Sequence, residues 1–109
     1  MAKHEFGIMK SDPVKGRRYD EYEPQKYDCI SVDDEYIECI DAELVALKCY
    51  AHTLDVPIDG LAYCGVTLIP PEEIEQFISL IEKQAEMNEL RNLLREALKK
   101  NRFVIHFGL

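Results

Sequence analysis

The sequence predicts an α+β fold: an antiparallel sheet of about five strands, ordered β-β-β-β-α-α-β, with two helices packed on one face. Three observations predict it. Alternating, β-prone runs fill the region before Pro70, two apolar stripes at helical spacing lie between Pro71 and Lys100, and a last alternating run spans Phe103 to Phe107.

Residues 1–25 show no sustained period and carry the breakers Asp12-Pro13, Lys15-Gly16 and Pro24. They read as an irregular N-terminal segment, apolar enough through Phe6, Ile8, Met9, Tyr19 and Tyr22 to drape over the body. Residues 26–109 read as one α+β domain, as the length of the chain suggests.

Tyr27 to Val32 is the first predicted strand, with Ile30 and Val32 towards the core. Asp33-Asp34 makes a turn, and Glu35 to Ile40 is a second strand. Leu44–Leu54 and Leu61–Ile69 are the third and fourth, joined as a hairpin through Asp55–Gly60. A helix over Asp41–Ala51 is the competing reading, because Ala42, Leu44, Ala46 and Leu47 tolerate helix. Pro70-Pro71-Glu72-Glu73 opens the first helix, with proline in the first turn and carboxylates at the positive end of the dipole. Ile74, Phe77, Ile78 and Ile81 form its stripe. A break near Glu86–Asn88 precedes a second stripe of Leu90, Leu93, Leu94, Ala97 and Leu98, and Phe77, Ile81, Leu94 and Leu98 are expected in the core.

Pairing Leu54 with Leu61 sets His52 opposite Tyr63, Tyr50 opposite Gly65 and Lys48 opposite Thr67. Cys49 and Cys64 then lie on the buried face, as inert thiols. If Phe103, Ile105 and Phe107 face the core, His106 turns outward. The candidate ligand or interface patch is therefore Lys48, Tyr50, His52, Tyr63, Thr67 and His106, on the outer sheet face.

Composition excludes several functions. The net charge is −8, and the cluster Lys15, Arg17, Arg18 is followed at once by Asp20, Glu21 and Glu23. Such a surface repels nucleic acid and anionic lipid. No secretory leader or membrane-length apolar run is apparent, so a cytoplasmic protein with reduced cysteines is expected. The four cysteines form no C-x-x-C pair. Cys49 and His52, three apart on a strand, point to opposite faces, so neither metal nor cofactor is expected. The sequence thus reads as a small acidic, non-catalytic binding or assembly module, with a homodimer or another protein as partner. The alternative is a small enzyme or ligand-binding protein using the outer face around His52 and Tyr63, with His52 as acid or base.

Overall fold

A computed structural model describes residues 2–109. The fold is α+β, with a single antiparallel sheet of six strands and four helices. The strands are β1 Lys3–Ile8, β2 Ile30–Asp33, β3 Lys48–Ala51, β4 Pro57–Asp59, β5 Val66–Ile69 and β6 Val104–Phe107, arranged across the sheet as β2-β1-β6-β5-β3-β4. The helices are α1 Asp34–Glu38, α2 Asp41–Leu44, α3 Pro71–Ile81 and α4 Asn88–Lys100. Among these residues no helix is long and apolar enough to cross a membrane.

The N-terminal segment departs most from expectation. Lys3–Ile8 is no irregular lead-in but an interior strand, paired with β2 on one side and β6 on the other. His4, Phe6 and Ile8 alternate, a strand signal that the neighbouring breakers obscure. Gly7 is required at its position, because a Cβ there would lie 2.6 Å from the Cβ of Tyr27 and 2.7 Å from the Cys29 sulfur.

Glu35–Ile40 is not a strand. The acidic run Asp33-Asp34-Glu35 opens helix α1, where carboxylates meet the dipole's positive end. Nor do the third and fourth predicted strands form one hairpin. After β3 the chain bends and returns as β4, whose Pro57 is tolerated because β4 is an edge strand. β5 pairs with the opposite side of β3, Tyr50 with Leu68 and Ala51 with Thr67. That register differs by three residues from the predicted one, and an odd shift exchanges the faces of the partner strand.

α3 and α4 lie where their stripes predict. Ile74, Phe77, Ile81, Leu90 and Leu94 are fully enclosed between helices and sheet. Leu98 is the exception, at the edge of its stripe and 37% exposed. The Arg91 guanidinium donates to the carbonyls of Ile81 (2.9 Å), Glu82 (3.2 Å) and Gln84 (3.3 Å), satisfying orphan acceptors at the end of α3.

The other sheet face is covered as well. Residues 9–29 cross it, and Met9 and Tyr27 pack there with Leu68, Ile105 and Phe107. The middle strands are therefore buried on both sides, and every residue of β5 and β6 is buried. In such strands hydrophobic alternation no longer marks which face meets the helices. This is why the predicted orientation of β6 is inverted: Val104 and His106 face the helices, and Ile105 and Phe107 face the N-terminal segment.

Cys49 is buried, and burial pushes its thiol up to about 12. Cys64 is exposed, against expectation, because it sits in the turn before β5 rather than within a strand. Thiol titration of the native protein should therefore label Cys39 and Cys64 rapidly and leave Cys49 untouched. Rapid labelling of Cys49 would contradict its place beneath the helices.

Candidate functional site

Three of the six candidate residues meet, on the helix-covered side of the sheet and not on its outer face. The β5–β6 register sets Thr67 beside His106, and the β6–β1 register sets His106 beside Phe6. His4 lies two residues along β1, on the same face as Phe6. Its Nδ1 is 2.8 Å from Nε2 of His106, with the rings stacked at 5.1 Å between centroids. Nδ1 of His106 is 3.1 Å from the Thr67 hydroxyl. Nε2 of His4 is 2.9 Å from Oδ1 of Asp34, at the first turn of α1. The Tyr63 hydroxyl donates to the same Asp34 oxygen at 2.5 Å, and its ring meets His4 edge-on at 5.3 Å.

His4, His106 and Thr67 are fully buried. Burial, and after it the proximity of His4, push His106 down to about 3, so this ring is neutral. The Ala62 amide donates to the Thr67 hydroxyl at 2.8 Å. A neutral His106 carries one ring proton, which it gives either to the Thr67 hydroxyl from Nδ1 or to His4 from Nε2. His4 in turn donates from Nε2 to Asp34. The chain of donors ends on a carboxylate, and no buried side-chain polar atom among the described residues lacks a partner. The hydrogen bond from Tyr63, then that from His4, holds the Asp34 carboxyl below its ordinary range. The same bond to Asp34 pushes the Tyr63 phenol up to about 12.

The other three candidates lie elsewhere. Lys48 is exposed at the start of β3 and pairs with Asp59 of the edge strand β4 at 2.9 Å. Tyr50 is half-buried against the outer core, opposite Leu68. His52 sits in the bend after β3, where its carbonyl accepts the Tyr19 amide at 2.7 Å. His52 and Tyr63 do not pair: the three-residue register difference places the turn holding Tyr63 against His4 instead. His4 and Asp34 belong to the site and were not among the sequence candidates. The alternation of His4, Phe6 and Ile8 was the readable signal for the first, and the acidic helix start for the second.

The turn carrying Tyr63 borders a cleft of about 600 Å³ between the N-terminal segment and the C-terminal end of β6. Tyr22, Cys64, Val66 and Phe107 give it an apolar floor, and Lys3, Glu5 and Asp20 charge its rim. Tyr22 meets Phe107 edge-on at 5.5 Å, and its hydroxyl donates to Glu5. Two exposed large hydrophobic residues line it, Tyr22 at 66% and Leu109 at 43%, and Tyr63 is exposed on the adjoining turn. Among the described residues no group of three His, Cys, Asp or Glu is placed to hold a metal ion. Comparison with protein-family models, with curated proteins and with solved structures returned no match.

Proposed function

We propose that this chain is a cytoplasmic, non-catalytic binding module that docks a partner protein on the face around the cleft. The observation that carries the reading is the exposure of Tyr22 and Leu109 at one cleft floored by Val66 and Phe107. Aromatic residues concentrate at interfaces, where a rigid side chain buries much area at little entropic cost. Two further features support it. His4 and His106 are enclosed, and all their ring nitrogens are engaged within the chain, so neither offers a lone pair to a substrate. All four cysteines are free, two of them exposed, which suits a reducing compartment.

The charge of −8 favours a partner that brings an apolar side chain flanked by basic ones. A short synthetic peptide alternating arginine with tryptophan is a direct probe. Its titration should shift the NMR signals of Tyr22, Val66, Phe107 and Leu109, and Tyr22→Ala should weaken it at least tenfold with the fold intact. Shifts spread over the acidic surface, or no effect of Tyr22→Ala, would overturn the reading. Sedimentation equilibrium separates the two partner types. A dimer whose interface buries Tyr22 and Tyr63 makes a second copy the partner, and a monomer that binds the peptide makes it another protein.

A further inference from the structure

The opposite end of the sheet has a different character. Three adjoining hollows lie around Tyr27, where β1 ends, α4 ends and the N-terminal segment crosses. The first, of about 370 Å³, is lined by Lys10, Lys100 and Arg102, with Asp28 and Glu96. The second, smaller, shares Lys10 with the first and adds Arg17 and Lys26. The third, of about 320 Å³, shares Arg17 and Lys26 with the second and adds Arg18, with Glu21 and Glu23. Six of the chain's 13 basic residues thus line one trough, in a molecule whose net charge is −8.

Few of these cations are neutralised. Within 4 Å of a carboxylate, among the described residues, lie only Arg18, 3.0 Å from Asp20, and Lys100, 3.8 Å from Glu96. Arg17 and Lys26 rest over the rings of Tyr19 and Tyr27, at 5.2 and 5.9 Å, which leaves their charges uncancelled. The α4 dipole accounts for Lys100 at the helix end. It does not account for Lys10, which arrives from β1. Arg102 anchors the chain through its backbone amide, bonded to the Ala97 carbonyl at 3.0 Å, and lines the hollow.

We propose that this trough binds a small molecule carrying two or more phosphate groups. Its two outer hollows have the size of small-ligand sites. Guanidinium groups take phosphate oxygens in a bidentate fork, and the lysines add point charges along the trough. The size of the ligand follows from screening. At physiological salt, charges beyond ~8 Å are largely screened, so a small anion responds to the local cations. A nucleic acid or an acidic protein would extend beyond the trough onto the acidic remainder and be repelled.

Tripolyphosphate is the probe, titrated calorimetrically at 0.15 M salt with NMR mapping of the wild-type chain. Saturable one-to-one binding is expected, with shifts at Lys10, Lys26 and Arg102. Inorganic phosphate should bind at least tenfold more weakly. The double variant Lys10→Gln/Arg102→Gln should lose tenfold or more, and Lys83→Gln, in the exposed turn after α3, should change nothing. Non-saturable binding, equal losses in both variants, or tighter binding of a twelve-nucleotide single strand would each overturn the proposal. The wild-type shift map decides the matter even if the double variant fails to fold.

Discussion

Replacing Phe77 with alanine is expected to lower the free energy of unfolding by ~3–5 kcal/mol. Phe77 is fully enclosed and meets Phe6 edge-on, with ring centroids 6.0 Å apart, so it joins α3 to the interior strand β1. Losing the ring removes buried apolar area and leaves a cavity between two rigid layers that cannot collapse freely. Phe6 would also lose its aromatic partner, worth ~1 kcal/mol beyond burial. Urea denaturation of the two proteins measures the difference. A loss below about 1 kcal/mol would mean that the α3 stripe is not packed against the sheet.

Acid should destabilise the fold well above the pH at which ordinary carboxylates titrate. An unfolded His106 takes a proton near pH 6.5, whereas the folded ring resists it down to about 3. As pH falls through 6.5 the unfolded chain binds a proton that the folded chain refuses. The stability that His106 contributes is therefore fully present above pH 6.5 and is lost progressively towards pH 3. The loss should reach about 3 kcal/mol by pH 4.5. Asp34, whose folded carboxyl is held low by Tyr63 and His4, adds to the loss at the acid end of the same range. Urea midpoints at pH 7.5 and 4.5 test this, and His106→Gln, which cannot take the proton, should flatten the dependence. A wild-type midpoint that does not change between those pH values would contradict the enclosed, neutral ring.

The two long helices were legible because each has one covered face, and a single covered face leaves a readable stripe. The fold class was legible for the same reason. What the sequence concealed lies where both faces of an element are covered. Val104–Phe107 alternates well, but Ile105 and Phe107 and, on the other side, Val104 and His106 are all buried, so the pattern carries no sign of its direction. The β3–β5 register was concealed because β4 intervenes between them, so the six-residue loop was no loop at all. Thr67, His106 and Tyr63 were reached from the sequence through the wrong face. His4 and Asp34 were missed because their local signals, a short alternation and an acidic helix start, do not say what they meet across 102 and 30 residues of chain.

The central claim of this account is that the two enclosed histidines form a closed structural network, which leaves function to the cleft beside Tyr63. Long-range ¹⁵N–¹H correlation spectra of the histidine rings at pH 7 test it most directly. The account predicts that His106 is neutral and that its ring signals do not change when a peptide occupies the cleft. A charged imidazolium at His106 would contradict it.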